Sequence, residues 1–214
     1  MSALERMPEA LYKGDAALVS TLTRQALDNN VPANTIVTDG LLKGMDLVGV
    51  DFRDGTLFIP EVLCAASAMK AGMSILRPLL VGSASVQPVG RVVMGTVNGD
   101  LHDIGKNLVA LMLEGAGFEV HDLGIDVPPD KFTEAVKRLK PDLLGMSALL
   151  TTTMAGMRVV IDAIGEAGLR SRVKIMIGGA PVTHKYADQI GADAYAPDAA
   201  TAVVTARLLM SARG

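Results

Sequence analysis

The residues best suited to chemistry gather in one short stretch, Gly95-Thr-Val-Asn-Gly-Asp-Leu-His-Asp-Ile-Gly-Lys-Asn, which brings Asp100, His102, Asp103 and Gly105 together. An imidazole with a carboxylate two residues away has the makings of a metal ligand and its orienting partner, because a ligating imidazole typically donates its second N–H to a carboxylate. A lone loop histidine is more often structural, so both readings of His102 stay open on this stretch alone. The chain has three histidines. His121 and His184 show no H-x-x-x-H spacing, so a metal cage built from protein ligands alone is not indicated. A cofactor that brings its own in-plane nitrogens would need a single protein ligand. Further polar groups follow in Met146-Ser-Ala-Leu-Leu-Thr-Thr-Thr, where Ser147 and Thr151 flank Leu149, and Tyr195 lies near the end of a later apolar run. Gly178-Gly179 reads either as an ordinary strand-to-helix turn or as a slot where backbone can approach a bulky ligand closely.

These residues need elements to position them. From residue 91 on, short β-branched runs alternate with helix-length amphipathic segments, the pattern of a parallel sheet covered on both faces. Strands are expected at Arg91–Val97, Phe118–Leu123, Asp142–Ser147, Val173–Gly178 and Ala192–Ala196. Helices are expected near 104–116, 129–139, 153–167, 183–190 and 198–212. Five such strands in a doubly wound domain take the order 2-1-3-4-5, with the ligand beyond the carboxyl ends at the switch point between strands 1 and 3. His102 would lie on the loop over that point. Residues 1–81 read as helices throughout, near 3–12, 15–29, 33–50 and 60–78, with Pro32 and Pro60 where a first helical turn tolerates a missing N–H. Residues 82–90, Gly-Ser-Ala-Ser-Val-Gln-Pro-Val-Gly, have the small, polar character of a linker. The expected architecture is α/β: a helical bundle cap, a linker, and a Rossmann-like, flavodoxin-like five-stranded domain over 91–214.

Composition excludes several classes. With 214 residues and half of them apolar, the chain can bury a real core. No apolar run reaches the roughly 20 residues that cross a bilayer, and the N-terminus lacks the basic flank and apolar core of a signal peptide. The expectation is a cytoplasmic protein without a membrane partner. A single cysteine excludes an internal disulfide, and the apolar neighbours of Cys64 predict a small buried residue. The net charge of −3, with basic residues dispersed, argues against nucleic acid. Neither G-x-G-x-x-G nor G-x-x-x-x-G-K-[ST] occurs, so dinucleotide and triphosphate cradles are missing.

Asp100-Leu-His102-Asp-Ile-Gly105 resembles the D-x-H-x-x-G signature of cobalamin-binding domains. Around it, Asp122-Leu-Gly-Ile-Asp-Val-Pro, Ser147-Ala-Leu-Leu-Thr and Gly178-Gly-Ala-Pro-Val-Thr resemble, in order, segments of the cobalamin module of methionine synthase. Phe58-Ile-Pro-Glu-Val-Leu-Cys-Ala-Ala-Ser-Ala-Met69 is similar to the cap helix of the free-standing corrinoid proteins that serve methylamine, methanol, glycine betaine or methoxyaromatic methyltransferases. The resemblance covers nearly the whole chain.

That resemblance implies a cobalamin or related corrinoid cofactor, cycling between methylcob(III)alamin and cob(I)alamin, bound base-off and His-on. His102 would be the lower ligand of cobalt, with Asp100 and Ser147 as its hydrogen-bond relay. Asp103, Ile104, Gly105, Leu149, Thr151, Gly178, Gly179 and Tyr195 would contact the cofactor or its nucleotide tail. Met69 and Met73 of the cap would either form a plain core stripe or cover the upper face. The implied function is methyl carriage from a substrate-specific corrinoid methyltransferase to a second methyltransferase serving tetrahydrofolate or a thiol such as coenzyme M, with a reductive activase as a further partner. Two alternatives share the motif: a subunit of an adenosylcobalamin mutase, against which the helical cap argues, and a cobalamin-based sensor, which normally adds a DNA-binding segment.

Overall fold

The structure, a computed structural model, describes residues 1–80 and 88–212. The expected linker therefore lies, over 82–87, outside the described residues. The chain forms two compact units, one helical and one α/β.

In the helical unit, α1 (Ala3–Tyr12) opens with a capping box: Glu5 N–H donates to Ser2 Oγ, and Glu5 in turn accepts from the Ser2 N–H. Asp15 caps α2 (Ala16–Asp28) by accepting from the Leu18 N–H. The third expected helix is continuous in α3 (Ala33–Thr35) and α4 (Lys43–Arg53), joined by a π-helical segment, Ile36–Leu42. Small residues on this helix admit α1. A Cβ on Gly40 would stand 2.6 Å from Met7 Sδ, and one on Gly44 3.1 Å from Pro8 Cα. The last helix, α5 (Ile59–Leu80), buries Val62, Ala65, Ala66, Ala68, Met69 and Leu76. Two expectations need correction here. By length and composition alone Ile59–Leu76 is a stretch able to cross a membrane, but its apolar side is the core of this unit. Cys64 is exposed, because it falls off the buried stripe of α5 despite its apolar neighbours. Met69 is buried in the core and Met73 half-buried.

In the α/β unit, β1 (Arg91–Thr96), β2 (Glu119–Asp122), β3 (Leu143–Ser147), β4 (Lys174–Gly178) and β5 (Ala194–Tyr195) form one parallel sheet in the order β2-β1-β3-β4-β5. The helices α6 (Ile104–Gly115), α7 (Pro129–Leu139), α8 (Thr151–Glu166), α9 (His184–Ile190) and α10 (Ala199–Ser211) alternate with the strands. The edge strands β2 and β5 are shorter than the sequence suggests, since each has a ladder partner on one side only. A 3-10 turn at Arg170–Arg172 precedes β4. Val93, Leu144, Met146, Ile175 and Ile177 on the sheet pack with Phe132, Met157, Ile161 and Ile164 from the helices in one apolar cluster. The rigid sheet ends at Thr96, Ser147 and Gly178, which are paired neighbours in register. The loops that carry the candidate chemistry start from those three positions.

Candidate functional site

The loop after β1 is held by its own polar groups. Thr96 Oγ1 donates to the His102 carbonyl at 2.9 Å, and the Asp100 N–H donates to the Val97 carbonyl at 3.1 Å. Asp100 is fully buried. Its Oδ1 accepts from the His102 backbone N–H at 3.1 Å and faces His102 Nδ1 at 2.7 Å. Its Oδ2 accepts from the Leu149 N–H at 2.7 Å and from Thr153 Oγ1 at 2.6 Å. Burial alone pushes this carboxyl up. The bonds from Thr153, Leu149 and His102 outweigh burial and hold it well below the usual carboxylate range.

An ionised Asp100 can only accept, so His102 Nδ1 carries the proton that joins them. Nε2 has no hydrogen-bond partner among the described residues, and in the neutral form of the ring it would carry the lone pair. The His102 side chain is 51% exposed. The result is a rigidly oriented imidazole presenting a bare nitrogen outward, the form that ligates a metal. Exposed apolar side chains lie on the same loops. Leu101 and Ile104, within the motif on either side of His102, are 67% and 78% exposed, and Ile125, Leu149 and Leu150 on neighbouring loops are exposed as well.

The other expected site residues fall into three groups. Asp103 precedes α6 and accepts from Asn107 Nδ2 at 3.1 Å, while Gly105 lies in the first turn of that helix, where a Cβ would meet nothing within 4 Å. Thr151 is exposed at the start of α8, and the Leu149 backbone is in direct contact with Asp100. Ser147 ends β3 between Thr96 and Gly178, but the hydroxyl on Asp100 belongs to Thr153, so Ser147 does not complete the relay. At Gly178 a Cβ would come within 2.8 Å of the Ala196 carbonyl oxygen, and at Gly179, whose φ is +123°, within 1.8 Å of the Ala148 carbonyl oxygen. These two glycines are required by the chain's own backbone rather than by open room at their Cβ positions. Tyr195 is half-buried against the apolar core.

Sequence reasoning missed Thr153, Thr96 and the buried Lys106, whose ammonium meets Asp122 and Asn107. Lys106 follows Gly105 directly, so its place in the motif was the available signal.

Comparison with known proteins shows the family. Residues 90–204 match a family model described as a B12 binding domain, and residues 3–77 match a second model of the same description. The dimethylamine corrinoid protein of Methanosarcina barkeri is 45% identical over 208 residues, 97% of each chain. The chain belongs to the B12-binding corrinoid proteins. As a corrinoid protein it is also 51% identical over 175 residues, 82% of each chain, to dimethylamine corrinoid protein 2 of Methanosarcina mazei. Among solved structures it resembles a cobalamin-binding protein from Desulfitobacterium hafniense DCB-2, with a TM-score of 0.80 and 34% identity over 96% of this chain and 98% of that one. It also resembles the methanol:cobalamin methyltransferase complex MtaBC of Methanosarcina barkeri, with a TM-score of 0.88 and 30% identity over 98% of this chain and 80% of that one.

The residues present fit a corrinoid. A flat macrocycle with a central metal asks for one outward nitrogen, an apolar surround and freedom from side-chain bulk nearby. His102 Nε2, the exposed leucines and isoleucines, and the open Cβ position of Gly105 meet those needs. These groups lie at the carboxyl edge of the sheet, where open α/β sheets bind their ligands.

Proposed function

We propose that this corrinoid protein is a methyl carrier in which His102 would be the residue that holds the cobalt of the corrinoid. When bound, the corrinoid supplies a metal centre able to accept and release a methyl group. The chain supplies the rest. Asp100 faces Nδ1 and fixes the ring, so that Nε2 would be available to hold the metal without reorganisation. The Leu149 N–H and Thr153 hydroxyl saturate the far oxygen of Asp100, which keeps the carboxylate ionised in a buried position. The observation that carries this reading is the outward, unpartnered Nε2 on an apolar rim. The whole-length similarity to dimethylamine corrinoid proteins supports a methylated amine as donor, delivered by a substrate-specific corrinoid methyltransferase. A second methyltransferase would pass the group to a thiol such as coenzyme M or to tetrahydrofolate, and a reductive activase would restore the carrier after oxidation.

The test loads the protein with hydroxocobalamin, reduces it and adds a dimethylamine:corrinoid methyltransferase with isotopically labelled dimethylamine. The expected result is label on the protein-bound corrinoid, with transfer slowed on the order of tenfold or more in His102→Ala. Equal rates in wild type and His102→Ala would refute the ligand role. Absence of label on the corrinoid of the loaded, reduced protein would refute the carrier role.

A further inference from the structure

Asp126 sits in the connection between β2 and α7, outside the motif that holds the ligand. Its φ is +52°, in the left-handed region that residues other than glycine seldom adopt and that aspartate tolerates better than most. The conformation has a definite yield. Asp126 Oδ1 accepts from Asn98 Nδ2 and from the Gly99 N–H, each at 2.7 Å, and the Asp126 N–H donates to the Asp100 carbonyl at 3.0 Å. One residue from a neighbouring loop thus binds three consecutive residues, 98, 99 and 100, with only Leu101 between them and the histidine. Gly99 has a φ of +81°, a turn geometry that glycine enters and leaves at little steric cost. The carboxylate of Asp126 selects one state of that turn. The connection carrying Asp126 is itself anchored to β1, because Thr96 N–H donates to the Gly124 carbonyl and Val127 N–H to the Thr96 carbonyl, both at 3.0 Å.

We propose that Asp126 is a positioning residue for the lower ligand: by clamping the Asn98-Gly99 turn it sets the presentation of the Asp100–His102 pair. Its loss shifts the bound corrinoid from His-on toward His-off without releasing it. The proposal rests on His102 being the ligand. The Asp126 bonds run to Asn98, Gly99 and Asp100 and not to the imidazole, so it acts through the loop.

The experiment uses the full chain loaded with hydroxocobalamin, reduced to the Co(II) state, and prepared with natural or nitrogen-15 histidine. Electron paramagnetic resonance then reports the axial nitrogen, because a histidine ligand's splitting changes from three lines to two on labelling. If labelling leaves the wild-type splitting unchanged, the ligand reading of His102 fails. With that reading intact, Asp126→Gly keeps the left-handed backbone and its N–H but removes the clamp. It is expected to lower the His-on fraction on the order of threefold, at an unchanged ratio of corrinoid to chain. Asp126→Asn, which retains the acceptor oxygen, is expected to stay close to wild type. An Asp126→Gly protein with the wild-type His-on fraction overturns the proposal, as does one that loses the corrinoid altogether. Should the glycine variant fail to fold, Asn98→Ala removes one bond of the same clamp, and an unaltered splitting there overturns the proposal equally.

Discussion

The two edges of the sheet use one device for different ends. At the amino edge, Asp142 and Asp193, each just before a strand, accept the backbone N–H of a neighbouring strand: Arg91 at 2.9 Å and Ile175 at 2.8 Å. At the carboxyl edge, Asp100 accepts the Leu149 N–H at 2.7 Å in the same manner. The edges differ in what balances the charge. Asp193 is paired with Arg170 at 2.7 Å and Lys174 at 3.2 Å, both fixed cations of the fold. Asp100 has no lysine or arginine in ion-pair reach among the described residues, and the group that meets its other oxygen is His102. A buried carboxylate neutralised within the fold serves only the fold. One whose partner is an outward-facing imidazole transmits its charge to whatever that imidazole binds.

The largest expected effect tests whether the carboxyl edge is itself tied by structure as tightly as the amino edge. Gly179→Ala drives a Cβ to 1.8 Å from the Ala148 carbonyl oxygen at a φ of +123°. Strain and overpacking together should cost about 3 kcal/mol or more, read from urea unfolding of the corrinoid-free protein. A loss under about 1 kcal/mol would mean that the turn relaxes freely, and the contrast between a tied β4 turn and a presenting β1 loop would collapse.

A smaller effect separates the two carboxylates. Burial pushes the Asp193 carboxyl up, but the Ile175 N–H, Lys174 and Arg170 more than offset that and leave it below its ordinary value of 3.8. A carboxyl depressed in the folded state adds stability that is fully present above the ordinary value and is lost as pH falls through the depressed one. Asp193→Ala should therefore cost about 2 kcal/mol at neutral pH, and the gap to wild type should close below the ordinary value. Corrinoid occupancy should not change. A pH-independent gap, or a change in His-on fraction, would mean that the two aspartates do not divide the labour as described.

How much of this could be read from the sequence follows from where each residue gets its geometry. The Asp100–His102 pair was legible because two residues on one loop carry their contact with them. The strand order was legible because alternating β and α segments admit few topologies. Thr153 was not: three hydroxyls occur at 151–153, and which one faces Asp100 depends on the start of α8, which begins at Thr151 rather than at the expected 153. Nothing in the pattern of apolar residues distinguishes a π-helical segment from the α-helix around it, so Ile36–Leu42 stayed hidden. Cys64 is exposed despite its apolar neighbours along the chain, because a helix buries by face. Asp126 looks like any loop acid until its left-handed φ and its three bonds to 98–100 are known.

The glycines give the smallest stability effect and the sharpest form of the comparison. Gly105 and Gly179 both belong to segments of the same resemblance, yet a Cβ at Gly179 collides with backbone and one at Gly105 meets nothing within 4 Å. Gly105 has no positive φ and lies in the first turn of α6, so alanine is compatible with its backbone. Gly105→Ala should leave the corrinoid-free protein unchanged or more stable by about 0.5 kcal/mol. The added methyl group would instead intrude on a ligand seated beside His102. Corrinoid affinity is therefore expected to fall on the order of tenfold, measured by titration of the folded protein with hydroxocobalamin. Full affinity in Gly105→Ala would place the cofactor away from this turn, and a loss of stability would make Gly105 one more glycine that serves the fold.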